Sequence, residues 1–79
     1  MNVKDKVILV TGGAGGLGAA IGKCLAENGA EVYLLDLDEQ RGAGIAGEIV
    51  NSGGRAHFKK IDLTSEIEWK TVVDDIVAL

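Results

Sequence analysis

Proline is absent from this 79-residue chain, and cysteine, methionine, tryptophan, tyrosine and phenylalanine occur once each. With no proline, breaks between elements fall to glycine and polar turn residues. No repeat, low-complexity tract or linker interrupts the chain. A lone cysteine, Cys24, excludes an internal disulfide, and no paired Cys or His spacing suggests zinc, so no metal residue is assigned. The expected setting is a reducing one, the cytoplasm. With so few aromatic anchors the core has to be built from aliphatic side chains. Eight basic residues against twelve acidic ones give a net charge of −4, and only Lys59 and Lys60 are adjacent. No basic stripe exists to neutralise a polyphosphate backbone, which excludes nucleic acid as a partner. No run approaches the roughly 20 apolar residues of a membrane span, and "MNVKDKVILV" lacks the apolar region of a signal peptide. The expectation is a soluble chain without a membrane partner.

What the sequence does have is alternation. "KVILVT" (Lys6 to Thr11) is a continuous apolar strand of the kind buried in a parallel sheet. From Gly16 to Asn28, Leu17, Ile21, Cys24 and Leu25 recur at three- and four-residue spacing, which predicts a helix with these residues on its core stripe and Gly29 at its C-terminal cap. "EVYLLD" (Glu31 to Asp36) reads as a second strand. The segment from Asp38 to Asn51 reads as a helix with Ile45 and Ile49 inward, although Gly42, Gly44 and Gly47 each cost about 1 kcal/mol against Ala. "SGGR" turns the chain into a third strand, "RAHFKKID". A last helix follows Thr64 or Ser65 as N-cap and carries Ile67, Val72, Val73 and Ile76. Strands alternating with helices imply parallel strands joined by right-handed crossovers. The fold class is therefore α/β, a Rossmann-like half of order βαβαβα with strand order 3-2-1, stopping before a fourth strand.

Residues 9 to 18, "LVTGGAGGLG", place five glycines between Gly12 and Gly18. Glycine between a strand and a helix lets the backbone approach a pyrophosphate, which the free N–H groups and the positive end of the helix dipole attract. The G-x-G-x-x-G fingerprint of dinucleotide sites reads at Gly13, Gly15 and Gly18. Asp36, eighteen positions beyond Gly18, stands at the end of the second strand, where a carboxylate can accept both ribose hydroxyls of an adenosine. A 2′-phosphate there would meet like charge, and Gly13, Ala14 and Leu37 offer no basic side chain to offset it. NAD is expected over NADP. The competing readings are a purely structural tight turn for the glycines and a turn-capping role for Asp36.

At these residues a resemblance emerges. Thr11, Gly12, Gly16 and Gly18 match the T-G-x-x-x-G-x-G loop of the short-chain dehydrogenase/reductase family, and "DLT" at Asp62 to Thr64 is similar to its D-V-T element. The resemblance covers essentially all 79 residues and implies an N-terminal segment of a dinucleotide-binding Rossmann domain. It implies pyrophosphate contacts for Gly12, Gly16 and Gly18, a structural role for Thr11, the ribose for Asp36, and the adenine edge for Asp62 and Leu63. Gly13, Gly15, Leu17 and Leu37 complete the candidate cofactor-contacting set. The family continues through N-N-A-G, a catalytic Ser and a Y-x-x-x-K pair. None of these occurs here, and Tyr33 is followed four residues later by Leu37, so no catalytic residue is assigned.

The resemblance thus implies an NAD-dependent oxidoreductase acting on alcohol or carbonyl groups, with this chain supplying the cofactor-binding part. The alternatives are a non-catalytic nucleotide-binding or subunit-interaction module, partnered by itself or by a full-length subunit, and a fragment of an S-adenosylmethionine-dependent methyltransferase. Methyltransferase loops usually open with an acid, whereas this one opens Val10-Thr11-Gly12. Cys24 reads as a small core residue, His57 as a surface or edge residue, Lys59 and Lys60 as guards of an edge strand, and Trp69 as packing. Without a fourth strand, "VILV" should lie at an open edge, and Val73 and Ile76 should lack partners. Such a chain alone is expected to be unstable, aggregated or held by a partner.

Overall fold

The computed structural model describes residues 2–62 and 65–77, with the side chains of Glu66, Ile67, Trp69, Val72, Asp75 and Val77 outside the description. Elements follow in the order β1 (Val7–Thr11), α1 (Gly16–Glu27), β2 (Glu31–Asp36), α2 (Glu39–Asn51), β3 (Arg55–Lys60) and α3 (Glu66–Val77). The three strands are parallel, in the order β1-β2-β3, with β2 central. This is the α/β half expected, and its 3-2-1 order is the same sheet counted from the other side.

Central position explains the composition of β2. Val32, Leu34 and Leu35 are fully buried and Tyr33 nearly so, because both faces of the strand are covered. On one face Val32 and Leu34 join Val10, Ala19, Ala26, Ile45, Ile49 and Ala56 under α1 and α2. Tyr33, Leu35 and Ile61 form a second cluster on the other face, against which Ile76 of α3 packs. Burying each such aliphatic side chain contributes about 1.5–3 kcal/mol. Ile76 therefore has the partner that sequence reasoning denied it, supplied by the far face of β2. Val73 remains 38% exposed.

The core stripe assigned to α1 is corrected. Leu17, Ile21 and Cys24 are exposed, and the face turned to the sheet is Ala19, Gly22 and Ala26, with Leu25 partly buried beside them. Close approach explains the inversion. A methyl on Gly22 would come within 2.9 Å of Leu34 Cδ2, so the helix lies too near β2 for larger side chains on that face. Cys24 is accordingly an exposed free thiol rather than a core residue. The stripe of α2 holds as read, with Ile45 and Ile49 buried.

Termini of the elements follow local chemistry. Gly29 ends α1 with φ +91° and donates its N–H to the Ala26 carbonyl at 3.0 Å. Asp38 is the N-cap of α2, its Oδ1 accepting the Arg41 N–H at 3.1 Å. Ser65 Oγ accepts the Glu68 N–H at 3.3 Å at the start of α3. Thr64 lies outside the described residues. β3 stops at Lys60 rather than Asp62, because Lys60 pairs with Asp36, the last residue of β2. One further bond extends the pairing, the Ile61 N–H donating to the Asp36 carbonyl at 3.0 Å. β1 does lie at a sheet edge, with Val7 50% and Leu9 37% exposed.

Candidate functional site

Parallel pairing brings the C-terminal ends of β1, β2 and β3 to one edge of the sheet, with Thr11 opposite Leu35 and Asp36 opposite Lys60. The glycine loop leaves β1 there, Asp36 ends β2 there, and Asp62 lies two residues past Lys60 on the same edge. Open α/β sheets bind ligands outside this edge.

The loop is anchored before it turns. Gly12 and Gly13 both donate their N–H groups to the Leu35 carbonyl, at 2.9 and 3.2 Å, and Gly15 donates to Gly12 O at 3.0 Å. Gly12 holds φ +68°, a left-handed conformation that a side chain resists. Gly18 cannot carry a Cβ either, since that atom would overlap the Gly12 carbonyl oxygen and stand 2.8 Å from its carbon. Gly16 is different, because a Cβ there meets nothing within 4 Å. Gly15 is the N-cap of α1, and Ala19 makes the first helical bond to its carbonyl at 2.8 Å. The N–H groups of Gly16, Leu17 and Gly18 thus precede the helical ladder, with no acceptor among the described residues. Unpaired donors at a helix N-terminus, with open space in front of Gly16, suit the oxygens of a phosphate. The residues present fit the pyrophosphate of a dinucleotide.

Asp36 is joined to this loop. Its Oδ2 accepts the Ala14 N–H at 3.1 Å and its Oδ1 accepts the Asp38 N–H at 3.0 Å. The hydrogen bond from Asp38 is the main influence holding its carboxyl below the ordinary range. Burial opposes the shift, while the N–H groups of Ala14 and Leu37 and the Arg41 charge add to it. Asp36 is therefore an anion that ties β1, β2 and the start of α2 together. The turn-capping reading of Asp36 is a fact of the structure, and it leaves the remaining lone pairs of the carboxylate for a ligand.

Ala14, Gly15, Gly16, Asp36, Asp38 and Arg41 line one depression of about 340 Å³ in front of the helix N-terminus. Gly12, Gly13 and Gly18 shape the loop behind it. Leu17 and Leu37 are 77% and 58% exposed beside this edge. Asp62 is half-buried there, its carbonyl accepting the Ser65 N–H at 2.9 Å. Leu63 lies outside the described residues. Sequence reasoning missed Arg41, having searched only Gly13, Ala14 and Leu37 for a cation. The signal available was helical: with Asp38 as N-cap, Arg41 is three residues on and returns over the same turn.

The other candidates stay apart from this edge. His57 Nε2 lies 2.7 Å from Glu31 Oε2, and its ring stacks on Tyr33 with centroids 4.5 Å apart. Burial, and then the Glu31 carboxylate, push the Tyr33 phenol above its ordinary value, the opposite of what a phenol acting as an acid or base near neutrality requires. Another hollow, about 440 Å³, is lined by Lys23, Glu48, Ser52 and Gly53 among others, and Lys23 and Glu48 form a 2.9 Å ion pair there. Among the described residues, no group of three or more His, Cys, Asp or Glu could hold a metal ion, and no helix is long and apolar enough to cross a membrane.

A strand, glycine loop and helix with an acid at the end of the next strand define an α/β protein of the Rossmann-like class. The family model of short chain dehydrogenases matches residues 6–79, and this chain belongs to that family. It is 49% identical over 76 residues to a cyclopentanol dehydrogenase of Comamonas sp. (strain NCIMB 9872), a match covering 96% of this chain and 30% of the relative. A metagenomic short-chain oxidoreductase solved with NADP superposes with a TM-score of 0.92 at 31% identity, over 99% of this chain and 35% of that one. A candidate D-mannonate oxidoreductase from Haemophilus influenza with bound NAD gives a TM-score of 0.90 at 35% identity, over 95% of this chain and 27% of that one. The chain spans about a third of the length of the relatives it matches.

Proposed function

We propose that this chain is the NAD-binding N-terminal part of a Rossmann domain in an oxidoreductase that interconverts an alcohol and a carbonyl compound. The observation that carries the reading is the depression before the N-terminus of α1, where Gly15 and Gly16, the Gly16 N–H free of an acceptor among the described residues, stand beside the Asp36 carboxylate. When bound, the nicotinamide cofactor supplies the hydride chemistry. The residues of the chain bind and orient. Gly12, Gly13, Gly15 and Gly18 hold the loop close to β2, and the N–H groups at the start of α1 receive the pyrophosphate. Gly16 leaves the space in front of them clear. Asp36, already ionised by its own N–H partners, accepts the ribose hydroxyls, which disfavours a 2′-phosphate by like charge. Leu37, Asp62 and Leu63 border the adenine, and Leu17 lies toward the rest of the cofactor. Residues beyond this stretch supply the proton donor and the substrate pocket. A reducing, cytoplasmic setting suits the exposed, unpaired Cys24 thiol.

Calorimetric titration of the full natural chain with NAD, NADP and S-adenosylmethionine tests this reading. NAD is expected to bind, at least about tenfold more tightly than NADP, and S-adenosylmethionine not at all. Binding of S-adenosylmethionine at the affinity of NAD, or no binding of NAD, overturns it.

A further inference from the structure

Asparagine followed by glycine occurs once in the chain, at Asn28-Gly29, where α1 ends and the backbone turns toward β2. Glycine has no side chain to shield its nitrogen, which leaves that nitrogen able to attack the amide of the preceding side chain. We propose that Asn28 is a site of spontaneous self-modification to aspartate and isoaspartate, held off in the folded chain by the hydrogen bonds that close the end of α1. In the reaction the Gly29 nitrogen gives up its proton and bonds to Asn28 Cγ, and Nδ2 leaves with that proton as ammonia. Water then opens the cyclic imide. Cleavage of the new N–Cγ bond gives aspartate, and cleavage of the original peptide bond gives isoaspartate, with Gly29 joined through the side chain.

Asn28 is exposed to water, so geometry rather than burial protects it. The Gly29 N–H is donated to Ala26 O at 3.0 Å, which engages the proton that the nitrogen must lose. The leaving group is engaged too, Nδ2 donating to the Cys24 carbonyl at 2.8 Å. At the Asn28 ψ of 12° the Gly29 nitrogen lies almost eclipsed with the Asn28 nitrogen, whereas a five-membered ring needs it eclipsed with Cβ. Ring closure therefore requires rotation about the Asn28 Cα–C bond, and that rotation moves Gly29. Gly29 is held from both neighbouring strands. Its carbonyl accepts the Asp5 N–H at 2.9 Å, just before β1, and Arg55 Nη2 at 2.6 Å, at the start of β3. Arg55 is itself paired with Asp5 Oδ1 at 2.9 Å, and the Ala30 N–H is bound to Leu25 O at 3.1 Å. The products act on the same clasp. A new carboxylate at the end of α1 meets the negative end of the helix dipole beside Glu27, and isoaspartate lengthens the backbone inside the turn. Asn51 provides the internal control, because it precedes Ser52, whose side chain shields the attacking nitrogen.

The test is peptide mapping by mass spectrometry of the full natural chain, folded and in urea, held at one mildly alkaline pH. In urea Asn28 is expected to convert several-fold faster than Asn51, and folding should slow Asn28 at least about tenfold. Arg55→Gln, which removes one donor from the Gly29 carbonyl, should speed conversion in the folded chain about threefold or more. His57→Gln removes an ion pair from the same strand without touching Gly29 and should leave the rate unchanged. Hydrogen exchange separates local opening from general loosening: in Arg55→Gln the Gly29 and Ala30 N–H groups should exchange faster while Leu34 keeps its protection. Equal rates for Asn28 in the folded and unfolded chain, or no advantage over Asn51 in urea, overturn the inference. So does a folded-state rate indifferent to Arg55→Gln, or one raised only in step with exchange at Leu34.

Discussion

Adding one methyl group at Gly16 and at Gly18, two residues apart in the first turn of α1, should separate folding from binding. At Gly18 the new Cβ would overlap Gly12 O and lie 2.8 Å from Gly12 C and 3.1 Å from Gly13 Cα. All three are backbone atoms, and the loop cannot retreat. Gly12 and Gly13 are bound to Leu35 O, and Gly12 O receives the Gly15 N–H. Overpacking of this kind costs about 1–3 kcal/mol, against which the helical preference of Ala returns up to about 1 kcal/mol. Gly18→Ala is therefore expected to lower stability by about 1–2 kcal/mol. Nothing lies within 4 Å of a Cβ at Gly16, so Gly16→Ala should leave stability within about 0.5 kcal/mol. Gly16 nevertheless lines the depression, and its methyl would stand where the pyrophosphate approaches the N–H groups. Losing one charge-assisted hydrogen bond of about 1.5–3 kcal/mol lowers NAD affinity roughly tenfold to a hundredfold. Urea unfolding and calorimetric titration of the two variants in the full natural chain measure both quantities. Wild-type NAD affinity in Gly16→Ala refutes the placement of the anion, and wild-type stability in Gly18→Ala refutes the packing of the loop.

Gly42 faces the Phe58 ring, with a built Cβ 2.9 Å from Cζ and closer still to Cδ1 and Cε1. Gly42→Ala should cost about 1–3 kcal/mol by urea unfolding, whereas Gly47→Ala, with nothing within 4 Å, should stabilise by up to about 1 kcal/mol. Leu34 is fully buried between α1, α2 and the loop, and Leu34→Ala should destabilise by about 2–5 kcal/mol in the same assay. Asp36 titrates below its ordinary value of 3.8 in the folded chain. Its stabilising contribution is complete above the ordinary carboxylate range and is lost as pH falls through the depressed folded value. Thermal unfolding across that acid window should show a shallower decline for Asp36→Asn than for wild type, and parallel declines would show that the carboxylate does not bridge the loop. Asp36→Ala should shrink the preference for NAD over NADP, read as the ratio of the two dissociation constants.

Much of this protein is written in local patterns. Strands and helices were legible from the runs "VILV" and "EVYLLD" and from the glycines that end elements, because a buried parallel strand needs unbroken apolar residues and a helix end needs a residue free to turn. The loop and Asp36 were legible because a strand, glycines and an acid at this spacing fit one ligand. Packing was not. In α1 the larger apolar residues Leu17, Ile21 and Cys24 pointed to the wrong face, since periodicity marks a stripe by size and polarity but carries no information about helix-to-sheet distance. Contact with Leu34 across that short distance selects Ala19, Gly22 and Ala26 instead. Ile76 found its partners in Tyr33 and Leu35 of β2, far away in sequence, and in Ile61 just past β3.

By itself the sequence determined the order of elements, the aliphatic core of β2 and the presence of a glycine loop between β1 and α1, because each depends on residues within one turn or one strand. Only the tertiary structure decided that Asp36 clasps Ala14, that Arg41 shares its wall, and that the small residues of α1 are the buried ones. Those relations depend on where separate elements come to rest against one another, and the distances between them are set by side-chain packing rather than by spacing along the chain.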